Sequence, residues 1–311
     1  MFPSHDRGGL VIAERAREFM PIIRGANPNA DETKERRKIG LPDYILQTPW
    51  SKKHLEKHGF LKFDLLGLDT LKAIHHCIRL VLKRQDKPHS FNDIRKFYEE
   101  NLHPDKIDLN DQRVWKKVFH QGNWGGIFQF TESGAQQFCQ KVKPTNIIEL
   151  ATVTAIFRPG PLSSHVDKEY LTSKEENRTP DDPILAEVFG DTYGHLVFQE
   201  QLAHFAHKLG KNISLDDGNI LRKLLTSKDV TKLKDAEEMR ERFFQGALEK
   251  GWRRRDIETW WNRMRDMILY AFNKSHAVSY GIISFQCAHL MTYHQTEWLA
   301  AYLQMKSKNR S

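Results

Sequence analysis

From about residue 90 to residue 305 the chain reads as a run of helix-length segments separated by polar turns, and this constrains the fold of its 311 residues more than any other feature. Helical spacing is expected over 92–101, 111–120, 145–157, 183–190 and Gln199–Leu209. Two strongly charged helices are expected at 232–250 and 254–270. From Ile282 to Met305, the residues Ile283, Phe285, Leu290, Trp298, Leu299, Tyr302 and Leu303 suit a buried helix pair broken near Tyr293–Thr296. Strand signals are confined to the N-terminal part. Leu10-Val11-Ile12-Ala13 follows Gly8-Gly9, and Phe60-Leu61-Lys62-Phe63-Asp64 alternates as a strand does. Gly67 ends that strand, and Asp69 or Thr70 caps a helix carrying Leu71, Ile74, Ile78, Val81 and Leu82. Residues 24–58, rich in Asn, Pro, Lys, Arg and Glu, read as an irregular excursion. The fold class expected is therefore mostly α with a small α/β part. A boundary at 85–90 separates a sheet-containing piece (1–88) from a helical body (89–305), with a polar tail at 306–311.

Composition narrows the setting. Apolar residues make up 39% and charged residues 28%, as in ordinary globular proteins, and no apolar run approaches the roughly 20 residues of a membrane span. MFPSHDRGG is not a signal peptide, so a reducing cytoplasm is expected. Cys77, Cys139 and Cys287 have neither disulfide-framework nor metal-site spacing and read as small buried side chains. Of the formal charge of +8, +5 falls between Arg222 and Lys274, where 14 Lys and Arg face nine Asp and Glu. Such a stretch is either a face that tracks phosphates or a solvated helical surface.

Several residues could carry chemistry. Asp64 is an acid in an otherwise apolar strand, with Lys62 on the same face. It is either half of a surface ion pair or a metal-binding carboxylate, since an isolated buried charge is costly. Phe157-Arg158-Pro159-Gly160-Pro161 is a rigid turn that would hold Arg158 in one direction, suited to a phosphate, or simply a helix-ending loop. Tyr193-Gly194 precedes a helix beginning Gln199-Glu200-Gln201, and the tyrosine could stack on a base or sugar or merely pack. Arg222 and Lys223, with Lys228 beyond them, group cations near a helix end. Phe272-Asn273-Lys274-Ser275-His276 places four polar side chains in one turn, where Ser275 is a natural N-cap and a phosphate site is the alternative. No P-loop, GxGxxG, HExxH or GxSxG motif is present, and the 15 histidines are scattered.

The order of these segments is more specific than any one of them. HGFLKFDLLGLDTL (58–71), GIFQFTESGAQQF (126–138), AIFRPGPL (155–162), DTYGHLVFQEQLAHFA (191–206), LRKLL (221–225) and AFNKSHAVSYGIISFQCAHL (271–290) occupy about 230 residues. Together they resemble the C-family DNA polymerases, which include the alpha subunit of bacterial DNA polymerase III. SHDRGGLVIA (4–13) is similar to the palm segment just upstream of that family's third catalytic aspartate.

The resemblance implies that Asp64 is that third palm aspartate and a Mg²⁺ ligand, with Lys62 the neighbouring family lysine. Residues 1–88 would be the end of the palm and 89–305 the helical fingers. Arg158, Tyr193, Arg222, Lys223, Lys274 and His276 then fall where the fingers contact the incoming nucleotide. The family has two arginines in the LRKLL position; here the second is Lys223, which keeps the charge and loses the planar fork. The family's first two aspartates, in a Pro-Asp-x-Asp-x-Asp run, have no counterpart, because Pro104-Asp105-Lys106-Ile107-Asp108 has the wrong spacing. Nucleotidyl transfer uses two metal ions about 3.5–4 Å apart, and one carboxylate does not bridge them. The expectation is thus part of a replicative DNA-directed DNA polymerase, inactive alone. Its expected partners are dNTPs, primer-template DNA, replisome proteins and a second polypeptide carrying the PHP domain and the paired aspartates. A split polymerase of phage origin, or a cloned fragment, would account for a chain that starts with Met and ends past the fingers. The rival expectation is a degenerate, non-catalytic remnant that binds DNA or a replisome partner.

Overall fold

The computed structural model describes residues 9–11, 16–26, 44–64, 67–225 and 233–308, which fall into two compact units, Met1–Leu68 and Asp69–Ser311. In the first unit, β1 (Gly9–Val11) pairs antiparallel with β4 (Lys62–Asp64), with Gly9 opposite Asp64. β2 (Ile23–Ala26) pairs antiparallel with β3 (Tyr44–Gln47), with Ile23 opposite Gln47. Helices α1 (Ala16–Phe19) and α2 (Lys52–Lys57) complete its described elements, and Ser51 caps α2 by accepting from the His54 amide. The stretch expected to be irregular thus contains β2, β3 and α2. Their partners lie about 20 residues apart, so no short alternating pattern announces the pairing. Residues 4–8, 27–43, Lys228 and 309–311 lie outside the described residues, as do the side chains of Lys62 and Asp64.

Among its described residues the second unit has helices as its regular elements, joined by turns and loops, so the chain is mostly α with a small α/β part. Its elements are α3 (Asp69–Arg84), α4 (Phe91–Asn101), α5 (Gln112–Val114) running into a π-helical turn (Trp115–His120), α6 (Ser133–Val142), α7 (Ile147–Ile156), α8 (Pro159–Ser163) and α9 (Val166–Glu175). There follow α10 (Pro183–Phe189), a 3₁₀ turn (Gly190–Thr192), α11 (Gln199–Leu209), α12 (Leu215–Leu225), α13 (Leu233–Glu249), α14 (Arg254–Met267), α15 (Lys274–Tyr293) and α16 (Gln295–Lys308). The division after Leu68 falls earlier than the expected 85–90. The reason is packing: α3 lies along α16 and buries Ala73, Ile74, Cys77, Ile78, Val81 and Leu82 in the helical core. The expected tail is also shorter, because α16 continues to Lys308.

Two cores hold this unit. One gathers α3, α4, the π-helical turn, α6, α7, α9, α15 and α16 around Trp115, Phe119, Phe285 and Trp298. The other gathers α10–α14 around Phe189, Phe205, Phe243 and Trp261. The cores meet along two short segments. Leu196 belongs to the second and Val197 and Phe198 to the first, while Ala271 belongs to the second and Phe272 packs on the first. Gly218 lets α12 approach α11, since a Cβ there would stand 2.6 Å from the Ala203 carbonyl oxygen. The three cysteines are buried free thiols, and burial pushes those of Cys77 and Cys287 up to about 12, which makes them inert at neutral pH.

Candidate nucleotide site at the seam between the two cores

The seam is a short piece of parallel pairing inside a helical unit. Phe198 and Phe272 form a bridge in which the Phe272 amide donates to the Val197 carbonyl and the Gln199 amide donates to the Phe272 carbonyl, each at 2.9 Å. Gln201 fixes one side of it. Its Oε1 accepts from the Val197 and Phe198 amides at 2.9 Å, and its Nε2 donates to Thr192 Oγ1 at 2.8 Å. Glu200 fixes the other side: Oε1 accepts from Asn273 Nδ2 at 2.9 Å and Oε2 from the Lys274 amide at 2.8 Å. A carboxylate at the first turn of the 20-residue α15 is also favoured by the helix dipole. The N-cap of α15 is Asn273, whose side chain accepts from the His276 amide at 2.8 Å. Ser275, expected in that role, lies inside the first turn, because the helix starts at Lys274. Asn273→Ala is expected to lower the unfolding free energy by about 1 kcal/mol in a urea titration, the usual cost of losing an N-cap.

Three of the expected cations surround this bridge. Arg158 is the N-cap residue of α8 in extended conformation, with Pro159 holding the first helical position. Its guanidinium lies over the Phe272 ring at 4.6 Å, and its Nη1 is buried without a hydrogen bond. Gly160 lets α8 lie against Tyr270, since a Cβ there would collide with the Tyr270 ring. Lys274 Nζ lies 5.8 Å from the Phe198 ring centroid and 3.7 Å from the carboxylate of exposed Asp191. Arg222, on α12, donates from Nη1 to Gln199 Oε1 at 3.0 Å, while Gln199 Nε2 donates to the Ala271 carbonyl at 3.0 Å. The bridge thus brings together side chains from positions 158, 222 and 274. Lys223 is exposed on α12 beside Arg222, and His276 is exposed with its ring 4.0 Å from that of Tyr280.

Tyr193 is held differently from a free stacking platform. It takes the left-handed conformation (φ 52°), its hydroxyl donates to Glu149 Oε1, and its ring meets buried Tyr170 edge-on at 5.7 Å. Glu149 also accepts from Lys174 Nζ at 2.5 Å and from the Thr145 amide at 2.8 Å. Burial pushes this carboxyl up, but the bonds from Lys174, Tyr193 and Thr145, with the Lys174 charge, hold it below the usual carboxylate range. Burial and the bond to Glu149 push the Tyr193 phenol up. Glu149 and Lys174 have no place among the expected residues, and Glu200 and Gln201 appear there only as a helix start. Glu149 had a signal, as the one charge in the apolar helix IIELATVTAI, three residues after the capping Asn146.

For Asp64 and Lys62 the structure gives the backbone position on β4, paired with β1. Among the described residues, which do not include the Asp64 side chain, no group of three or more His, Cys, Asp or Glu is placed to hold a metal ion.

The family model for the finger domain of the bacterial DNA polymerase III alpha subunit matches residues 70–251. The chain belongs to this family. Its matched segment begins at the second residue of α3 and ends just past α13, so the fingers contain α3–α13. The chain is 34% identical to DNA polymerase III subunit alpha of Campylobacter jejuni over 314 residues, covering 97% of this chain and 25% of that protein. It is 32% identical to the protein of the same name from Chlamydia trachomatis (83% of this chain, 20% of that protein). It is 30% identical to that from Aquifex aeolicus (82% and 21%). The chain therefore spans a fifth to a quarter of the length of these curated relatives. Arg158, Tyr193 and Arg222 lie within the matched fingers segment, whereas the α15 N-terminus with Lys274 lies beyond it.

Proposed function

We propose that the chain is the nucleotide-receiving part of a replicative DNA-directed DNA polymerase, with Arg158, Arg222 and Lys274 binding the triphosphate of an incoming dNTP. The observation that carries this reading is the buried, unbonded Nη1 of Arg158 beside the seam that also gathers Lys274 and Arg222. A guanidinium with an unused donor suits an anionic oxygen, and the pair of half-buried Lys274 with exposed Asp191, 3.7 Å apart, is weak enough to yield to a phosphate. Phosphoryl transfer depends mainly on positioning and charge neutralisation, which a preformed cationic site supplies. Lys223 and His276 add polar groups at its edge, and Tyr193 meets the sugar–base end.

Asp64 is proposed as one of three palm carboxylates, with Lys62 as electrostatic support. Mg²⁺, when bound, would neutralise phosphate charge and activate the primer 3′-hydroxyl. The other two aspartates belong to polypeptide outside these 311 residues, so activity requires that part as well as primer-template DNA.

The first test is direct binding. A fluorescent dNTP is expected to bind the chain saturably, and competition by inorganic triphosphate but not by the unphosphorylated nucleoside is expected. Competition by the nucleoside alone would contradict a phosphate-receiving site.

A further inference from the structure

Glu149 and Lys174 form an ion pair with side-chain exposures of only 5% and 15%, in a core that apolar residues could fill. Buried pairs of this kind are poor sources of stability, and apolar replacements of similar volume are often neutral or stabilising. The carboxylate is nevertheless fully used. Besides Lys174 it accepts from the Thr145 amide, the Thr145 hydroxyl and the Tyr193 hydroxyl. The last of these spans 44 residues and ends on a non-glycine residue in the left-handed conformation. Such strain persists only where the surroundings over-determine it. The turn it holds is the one that reaches the seam: Thr192 is bonded to Gln201, which fixes Phe198, and Asp191 faces Lys274. Costly charge burial and backbone strain thus converge on the orientation of one aromatic ring.

We propose that Glu149 and Lys174 are positioning residues for nucleotide recognition, clamping the Tyr193 hydroxyl so that its ring stands fixed for the sugar–base end of the nucleotide. This rests on the dNTP-binding reading above. Lys174 keeps Glu149 ionised, Glu149 holds the phenol, and the tyrosine neither swings out nor relaxes its turn. The clamp acts on recognition of the nucleoside portion and leaves the phosphate contacts of Arg158, Arg222 and Lys274 unchanged.

The test combines Glu149→Met with Lys174→Met in one chain, which removes both charges while keeping bulk, and compares it with Tyr193→Phe, which keeps the ion pair. Titrations with dATP and with inorganic triphosphate are read alongside the melting temperature. Both variants are expected to melt within a few degrees of the original chain and to bind dATP about tenfold more weakly, the loss of one hydrogen-bonded anchor. Their affinity for inorganic triphosphate is expected to be unchanged, which a merely structural defect would not produce. NMR of isotope-labelled tyrosine is expected to show one Tyr193 ring environment in the original chain and averaged signals in the Glu149→Met/Lys174→Met chain, with Tyr193→Phe identifying the resonance by its loss. Unchanged dATP affinity in a folded double variant, or in Tyr193→Phe, would overturn the clamp. So would an equal loss for both probes, or a Tyr193 signal unaltered by losing the pair. Failure of the original chain to bind either probe would instead sink the dNTP reading.

Discussion

Replacing Lys174 alone by methionine is expected to lower the unfolding free energy by about 3–5 kcal/mol at pH 7, the cost of leaving a buried charge without its partner. The residue at risk is Glu149, 4% exposed and held below the ordinary carboxylate range by the groups that face it. The pH dependence follows from that direction. A carboxyl whose folded pKa is depressed contributes stability above its unfolded value, near 4.3, and loses it as pH falls through the folded value. The original chain should therefore lose this contribution in acid. Without Lys174, burial acts unopposed, Glu149 protonates more readily when folded, and the gap between variant and original should shrink below about pH 4. Urea titrations at pH 7 and near pH 4 check both parts. A penalty independent of pH would place the defect in lost packing rather than in an uncompensated charge.

Primer extension is expected to fall to background when Asp64 is changed to Asn in a mixture with a polypeptide supplying the two upstream palm aspartates. The substitution keeps the size of the side chain and removes the charge that a hard cation requires. Its place in a three-residue strand paired with β1 leaves the backbone no reason to move. Co-sedimentation with that polypeptide should persist, separating loss of chemistry from loss of assembly. Extension that survives Asp64→Asn would remove Asp64 from the metal site.

The helical body was legible because apolar spacing in it is local. The helix Gln199–Leu209 and the break at His294 between α15 and α16 both follow from sequence patterns a few residues long. The pairings were not legible. β2 with β3, β1 with β4, and the Phe198–Phe272 bridge join residues 18 to 74 positions apart. No periodicity encodes which segments meet across such distances. The same limit hid Glu200. Its QEQ context marks a helix start, but its function is to hold Asn273 and Lys274 from another part of the chain. Glu149 was hidden although the argument applied to Asp64, a charge in apolar surroundings that must find a partner, fits it equally. Ser275 lost the cap to Asn273 because the residue before the first helical amide decides capping, and the helix starts slightly earlier than a cap at Ser275 would place it.

The seam between the two cores is proposed to receive a triphosphate through Arg158. The most direct measurement is calorimetric titration of inorganic triphosphate into the original chain, Arg158→Ala and Arg95→Ala, the last a remote surface change on α4. Removing a charge-assisted contact from a partly buried site should weaken binding about tenfold or more in Arg158→Ala. Arg95→Ala should match the original chain. Equal affinity in all three would contradict the assignment, placing any phosphate binding on the general basic surface rather than at the Phe198–Phe272 seam.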